Sequence, residues 1–310
     1  LERDNEPRVA IVICNWNGRE DTRECLSSLE RLNYPNYEII LVDNGSTDGS
    51  AQIFRESYGE EPRIRLLELE DNLGFAGGSN SGIAQGLRSG ASYILLLNND
   101  TVVDENFLTE LIKAAGSDGE IGIVGPKVYQ FGRDNTLESA GCRGISFLAQ
   151  PVLRGNGQED QGQYDQEAEV TYISGCSLLI KSEVIDAIGL LDPDYFAYFE
   201  DWDWNLRARR AGYRILYVPG ARIWHKSSRS TGWKSPRYYY YHTRSRLLFA
   251  RKNIGWLGFF FLFLPYFLLY RVFLLLAILS LKGEGEAVWA VLRGLRWHLA
   301  SGNSREGQGI

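Results

Sequence analysis

The chain has 310 residues, the length of two average domains or of one large α/β domain. With 44% apolar and 23% charged residues it carries ample material for a buried core and is not globally disordered. The net charge of −6 hides a division: Leu1–Asp203 holds 15 Lys+Arg against 36 Asp+Glu, Trp204–Gly283 holds 15 Lys+Arg and no acid, and Glu284–Ile310 holds 3 of each. That split argues against a uniformly acidic soluble enzyme and calls for an anionic partner of the second part.

Four scattered cysteines (Cys14, Cys25, Cys142, Cys176) form no CxxC pair. Metal-ribbon and disulfide-scaffold readings are therefore poor, and a reducing compartment fits. Methionine is absent, even at position 1, so the natural initiator is expected elsewhere. The first apolar run, Val9–Cys14, is too short for the apolar region of a signal peptide, and none is expected.

The first half alternates strands and helices. Val9–Cys14 reads as a buried parallel strand. Arg19–Leu32 places Cys25, Leu26, Leu29 and Leu32 at helical spacing. Tyr37–Val42 is a strand ended by the turn cluster Asp43-Asn44-Gly45-Ser46. Ser50–Tyr58 reads as a helix, Ile64–Leu69 as a strand, Ser79–Leu87 as a helix, and Tyr93–Leu97 as a strand running into Asn98-Asn99-Asp100. This rhythm predicts a parallel sheet covered by helices on both faces, with ligands beyond the carboxyl ends of its strands. Further on, Ile121–Tyr129 and Tyr172–Lys181 read as strands, and polar Arg154–Glu169 as an exposed, mobile loop. Asp201–Ala211 reads as a helix ended by Gly212, and Arg214–Val218 as a strand stopped by Pro219-Gly220. Pro236–Asn253 is aromatic and basic. Trp256–Leu281 is almost wholly apolar and long enough to cross a bilayer core of ~30 Å. Pro265 and a central Arg271 instead favour two short helices lying in the interface or dipping in as a hairpin.

Five constellations carry chemistry. Asp43 ends a strand, where a carboxylate can accept from a base or ribose, and the glycine and serine after it offer donors to a diphosphate. Asn72–Asn80 supplies three glycines ahead of a helix, allowing close approach to phosphate oxygens, but lacks the P-loop and dinucleotide patterns. Asn98-Asn99-Asp100 at a strand end offers oxygen ligands of the kind Mg²⁺ or Mn²⁺ takes. The first and third are equally compatible with Asx turns. Glu200-Asp201-Trp202-Asp203 clusters three acids, a source of a general base as well as a helix-start charge pattern. His225, after a strand and before Ser227–Gly232, can complete a metal site.

In this order, the stretches Val9–Gly18, Ile40–Asp48, Asn72–Gly82, Leu95–Thr101, Ser174–Lys181, Tyr198–Tyr213 and Trp224-His225 resemble the inverting glycosyltransferase family 2. The likeness is to its rhamnosyltransferase-like and galactofuranosyltransferase-like members and covers roughly residues 8–230. The resemblance implies a fold class of α/β: a GT-A (Rossmann-like) nucleotide-sugar domain with a mainly parallel central sheet over 1–235. A basic, aromatic and apolar membrane-associated helical tail follows over 236–310. It implies Asp201 as the catalytic base, with Glu200 and Asp203 supporting the acceptor. Asn15, Asn17, Asp43, Asn72, Gly74, Asn80, Asn98 and Asn99 would bind the nucleotide sugar, and Asp100 and His225 the Mg²⁺ or Mn²⁺ ion. Asn98 stands where the family's metal motif often has its first acid.

The implied reaction moves a sugar, with rhamnose preferred, from a nucleotide-diphosphate sugar to a hydroxyl of a glycan or polyprenyl-linked acceptor in surface polysaccharide synthesis. Arg229, Lys234, Arg237, Arg244 and Arg246 would attract that acceptor or lipid headgroups. The expected partners thus include an anionic membrane surface and no nucleic acid, at the cytoplasmic face of the bacterial inner membrane. A nucleotidyltransferase of a related fold would carry its glycine-rich loop in the first strand–helix turn, whereas here it follows the third strand. A non-catalytic sugar-binding protein would not need Asp43, Asp100, Asp201 and His225 together.

Overall fold

Short β-branched runs separated by amphipathic segments build a sheet with helices on both faces. A computed structural model describes residues 6–133, 135–226 and 234–300. Arg229 and the loop Ser227–Gly232 lie outside the described residues. Strands β1 (Val9–Asn15), β2 (Tyr37–Asn44), β3 (Ile64–Leu69) and β4 (Tyr93–Leu97) are parallel in the order β3-β2-β1-β4. They are joined by α1 (Arg19–Leu29), α2 (Ser50–Tyr58) and α3 (Gly74–Arg88). Because β1 pairs with β2 on one side and β4 on the other, a crevice opens beyond its carboxyl end.

The second half extends this sheet with mixed polarity. β5 (Thr101–Val103), α4 (Phe107–Gly116), β6 (Ile121–Gln130), β7 (Leu137–Ser139), β8 (Cys142–Ile145), β9 (Gln150–Leu153), β10 (Ala168–Glu169) and β11 (Ser177–Lys181) follow in turn. After them come α5 (Ser182–Ile188), α6 (Glu200–Arg210) and β12 (Arg214–His225). β11 lies antiparallel between β4 and β6, and β12 runs parallel to β6. β12 passes through Pro219-Gly220 rather than ending there, because a register shift between Val218 and Arg222 absorbs the proline. β11 starts at Ser177, five residues later than expected, so Tyr172–Cys176 is left as irregular chain beside the crevice.

Side-chain alternation divides the core into two layers. Ile11, Ile13, Leu41 and Leu95 pack under Leu26 of α1 and Leu111 of α4. Val12, Ile40, Val42 and Leu96 pack under Ile83 of α3, Val184 of α5 and Trp204 of α6. The glycine-rich stretch expected as a loop is instead the first turns of α3. A Cβ on Gly78 would lie 2.6 Å from Cys14 Sγ, one on Gly82 2.4 Å from Val12 Cγ1, and one on Gly86 2.6 Å from Ala10 Cβ. Glycine at every fourth position therefore lets the backbone of α3 rest directly on β1.

The polar loop 154–169 is exposed but pinned, contrary to its expected mobility. Lys127, 1% exposed, holds Asp160 at 2.8 Å and Asp165 at 2.5 Å, and Tyr129 Oη donates to Asp160. Tyr217 Oη also donates to the carbonyl of Tyr164.

The basic segment forms α7 (Pro236–Asn253), started by Pro236 and by Ser235 Oγ accepting from the Tyr238 N–H at 3.1 Å. Ser245 Oγ donates to the carbonyls of Tyr195 and Ala197, so α7 clamps the chain leading into α6. The apolar run is one helix, Trp256–Leu281, rather than the expected broken pair. Wide π-type turns at Phe259–Phe263 and Tyr266–Val272 flank Pro265, which keeps helical dihedrals. Shifted hydrogen bonding lets the helix tolerate the missing proline N–H. The extra residue also keeps Phe263, Phe267, Val272 and Leu279 on one buried stripe, with a five-residue step from Phe267 to Val272. A last helix, Gly285–Ala300, packs Ala287, Ala290 and Val291 in the same cluster as Phe249 of α7.

Candidate active site

Eight of the thirteen sequence-predicted residues converge on a cavity of about 340 Å³ beyond the carboxyl ends of β1 and β4. It is walled by the chain entering α6, by the start of α3 and by α7. Asp100, Asn98, Asn99, Asn72, Gly74, Glu200, Asp201 and His225 all line it.

Asn15 ends β1 directly opposite Asp43 on β2. Its Nδ2 donates to Asp43 Oδ1 at 2.9 Å, and its Oδ1 accepts from Asn99 Nδ2, Thr22 Oγ1 and the Gly18 N–H. Asp43 Oδ2 accepts from the Ser46 N–H, and Asn17 Oδ1 from the Thr47 N–H. These bonds fix the turn after β2, one wall of the crevice. Sequence reasoning missed Asn44. Its Nδ2 donates to Asn72 Oδ1 at 3.1 Å and to the Gly74 carbonyl at 3.0 Å, tying β2 to α3. Gly74 has φ +74°, and a Cβ there would lie 2.3 Å from the Phe196 carbonyl.

At the end of β4, Asp100 Oδ1 lies 3.2 Å from His225 Nε2, and Asn98 Nδ2 lies 3.4 Å from the same nitrogen. β5 and β12 bring them together through the pairing of Thr101 with His225. On its other side His225 Nδ1 meets Glu138 Oε1 at 2.9 Å, a partner the sequence reading did not single out. Burial alone would lower the affinity of this imidazole for a proton, but Asp100 and Glu138 hold it well above the usual histidine range. Among the described residues no group of three or more His, Cys, Asp or Glu is arranged to hold a metal. The donor set still fits a hard divalent cation. Glu138 orients the ring so that Nε2 and a carboxylate oxygen face each other, and a diphosphate supplies further oxygens.

Asp201 lies in the first turn of α6, just after three residues with positive φ, Phe196 (φ 62°), Tyr198 (φ 66°) and Phe199 (φ 72°). Bulky residues adopt this geometry rarely, and it collects at functional sites. Asp201 Oδ2 accepts from Tyr172 Oη at 2.6 Å and from the Gly175 N–H at 2.8 Å, and Oδ1 accepts from the Trp202 N–H at 2.7 Å. Burial pushes its carboxyl above the usual value, while these donors favour the charged form. Glu200 beside it is pushed well above the glutamate range by burial and by the Asp201 charge. Its Oε2 is buried without a hydrogen-bond partner.

Five predicted residues do not line the cavity: Asn15, Asn17 and Asp43, which build the hydrogen-bonded turn after β2, and Asn80 and Asp203. Asn80 is not at the cavity: its amide exchanges hydrogen bonds of 2.8 and 3.1 Å with the backbone of Leu191 and latches α3 to the chain before α6. Asp203 faces away from it, accepting from Arg207 Nε at 2.8 Å and Asn253 Nδ2 at 2.9 Å, and so joins α6 to the end of α7. Burial pushes the Cys14 and Cys176 thiols at the cavity wall up to about 12, so neither is a nucleophile at neutral pH.

Residues 7–238 match the model of the glycosyltransferase-like family 2. The chain is 29% identical over 268 residues to the N-acetylglucosaminyl-diphospho-decaprenol L-rhamnosyltransferase of Mycobacterium tuberculosis, covering 80% of this chain and 86% of that protein. It is 26% identical to the poly-beta-1,6-N-acetyl-D-glucosamine synthase of Staphylococcus epidermidis over 70% of this chain, and spans about half of that relative (49%). Among solved structures, a mannosyltransferase of Pyrobaculum calidifontis in complex with GDP-Man and Mn²⁺ has the same fold, with a TM-score of 0.59, 17% identity and coverage of 97% of this chain and 78% of that one. GalNAc-T7 with UDP, GalNAc and Mn²⁺ matches at a TM-score of 0.61 and 18% identity over 78% of this chain and 48% of that one. With the sheet order, the crevice and these likenesses in agreement, the chain belongs to the glycosyltransferase-like family 2 and is a glycosyltransferase on a GT-A fold.

Proposed function

We propose that Asp201 is the general base of an inverting transfer from a nucleoside diphosphate sugar to a hydroxyl of a lipid-linked glycan. The observation that carries this reading is one buried, triply anchored carboxylate sharing a cavity with Asp100 and His225. Asp201 takes the proton of the acceptor hydroxyl. The oxygen attacks the anomeric carbon opposite the diphosphate, which departs with the bonding electron pair, so the configuration inverts. Tyr172 and the Gly175 N–H hold the base in place, and Glu200 completes the wall beside it.

Asp43 and Asn15 present the base-and-ribose end of the donor site, with Asn17 at the lip. Asn72, Gly74 and Asn99 line its diphosphate end. Asn80 and Asp203 act as positioning residues rather than contacts. Asp100 and His225 would hold Mg²⁺ or Mn²⁺, oriented by Glu138. When bound, the cation supplies positive charge against the departing diphosphate. Arg237, 4.4 Å over the Trp16 ring, adds a protein cation at the same cavity. Rhamnose is the sugar favoured by the mycobacterial relative.

The catalytic body comprises residues 1–235 and the membrane-facing tail 236–310, with α7 serving both. Phe260, Phe261, Leu269 and Phe273 are exposed on the apolar helix, with Trp256 at its start and Trp289 beyond its end. An apolar face within an acid-free basic segment suits the anionic cytoplasmic surface of the bacterial inner membrane.

The test is a screen of nucleotide sugars with purified, detergent-solubilised protein and Mn²⁺, reading released nucleoside diphosphate and the anomeric configuration of the product by NMR. One donor should release nucleotide only with acceptor present and give an inverted linkage. A retained configuration would refute the single-displacement reading.

A further inference from the structure

Nothing in the sequence marks His242, and the transfer reading above leaves it unused. Its ring stands on α7 among aromatic side chains. The centroids lie 5.4 Å from Phe199, edge to face, 5.9 Å from Tyr198 and 5.2 Å from Tyr238. Its neighbour Tyr241 stacks on Phe196 at 4.6 Å, and Ser245 of the same helix clamps Tyr195 and Ala197. The ring is thereby fixed against the chain that enters α6. It lines the cavity together with Glu200 and Asp201.

Among the described residues neither ring nitrogen of His242 meets a hydrogen-bond partner. Burial, reinforced by the charges of Arg246 and Arg271, pushes its pKa down to about 3, so the ring is neutral. A neutral imidazole carries one N–H donor and one acceptor. Leaving both unused among aromatic rings is costly, and such groups normally find a partner. At the cavity wall that partner is a ligand in the cavity. Glu200 makes the same demand. It is 5% exposed, lines the same cavity, and its Oε2 has no hydrogen-bond partner. Held well above the glutamate range, its carboxyl keeps a proton and offers a donor as well as acceptors.

These unused groups stand on the α6 and α7 side, with Asp201, whereas the donor diphosphate belongs with Asp100 and His225 at the strand ends. A sugar hydroxyl both donates and accepts, as each of them does. Phe199 and Trp202, whose rings stack at 5.8 Å, line the same wall and offer an apolar surface to the C–H face of a pyranose.

We propose that His242, with Glu200 of the same wall, is a specificity-determining residue for the acceptor: it holds a second hydroxyl of the acceptor sugar while Asp201 takes the proton of the first. This deepens the transfer reading and rests on it for the ligand's role, but its binding test needs no turnover.

The chain has three histidines, so histidine-selective ¹⁵N labelling of the full chain in neutral detergent gives a simple imidazole spectrum, with the His242 signal identified by its loss in His242→Gln. The probes are methyl pyranosides of the gluco, galacto and manno series and methyl N-acetylglucosaminide. At least one should shift the His242 nitrogens while both stay in the range of a neutral ring. His242→Phe keeps an aromatic ring in place and should weaken that pyranoside's binding, read by ligand-observed NMR, by about 5- to 50-fold, and His242→Gln should recover part of the loss. A His242 signal unmoved by every pyranoside would overturn the proposal, as would wild-type affinity in both variants. Loss of the pyranoside-dependent shift on adding UDP, dTDP or GDP with Mn²⁺ would assign the ring to the donor site and also overturn it. Failure of the transfer reading appears separately, as absence of nucleotide release by wild type with every donor.

Discussion

Replacing Tyr172 by Phe tests how the base is tuned. The phenol donates to Asp201 Oδ2 at 2.6 Å, next to the Gly175 N–H at 2.8 Å. The substitution removes one of three donors and keeps the ring, whose centroid lies 6.0 Å from that of Trp202. Burial pushes the Asp201 carboxyl upward, and the donors oppose that push. A lost donor to the charged form therefore raises the proton affinity of Asp201 further. A hydrogen bond to a charged group is worth about 1.5–3 kcal/mol, and each 1.36 kcal/mol is a factor of about ten. The acid limb of kcat/KM against pH should move to higher pH, with a loss of about 10- to 100-fold below the limb and little on the alkaline plateau. Nucleotide release measured across the pH range reads this directly. An unmoved limb, or an equal loss at every pH, would refute the role given to the phenol.

Other consequences are equally specific. Glu200 has a raised folded-state proton affinity, so whatever stability it contributes is present at low pH and is lost as pH rises above its usual value of 4.5 through the folded one. Glu200→Gln should therefore flatten the fall of Tm with rising pH, and a Tm profile parallel to wild type would count against the buried, unpaired carboxyl. Glu138→Gln should weaken Mn²⁺ dependence by about 10- to 100-fold in apparent metal affinity while leaving the fold intact, as read by metal titration of activity. Gly82→Ala puts a Cβ 2.4 Å from Val12 Cγ1 and should cost about 1–3 kcal/mol in urea unfolding. Phe261→Ser on the exposed apolar face should lower partition to anionic vesicles without changing Tm.

The strand–helix rhythm of the first hundred residues was legible, because buried parallel strands read as short apolar runs between amphipathic helices. The gathering of Asp100, Asp201 and His225 at one cavity was implied by the family resemblance, while turn chemistry by itself placed only Asp43 and Asp100 at strand ends. Glu138 was not legible. Nothing in Leu137-Glu138-Ser139 marks it, and only the pairing of β7 with β6 carries it beside His225. Asn80 and Asp203 misled in the opposite way. A polar residue inside a motif reads as a ligand contact, but both spend their side chains joining one element to another. Gly74, Gly77 and Gly78 were read as a loop ahead of a helix, yet they form its first turns, and Gly78, Gly82 and Gly86 at a spacing of four let that helix lie close on a strand. Pro265 suggested a break, and π-type turns absorbed it.

The most direct test of the account replaces Asp201 by Asn, which keeps the shape of the side chain and removes the base. Donor affinity should be measured by calorimetry and transfer by single-turnover product formation on the same preparation. The account expects donor affinity within about twofold of wild type and transfer reduced by about 10²–10⁴-fold, the usual contribution of a positioned general base. Transfer at the wild-type rate would contradict it, and another group would then have to take the acceptor proton.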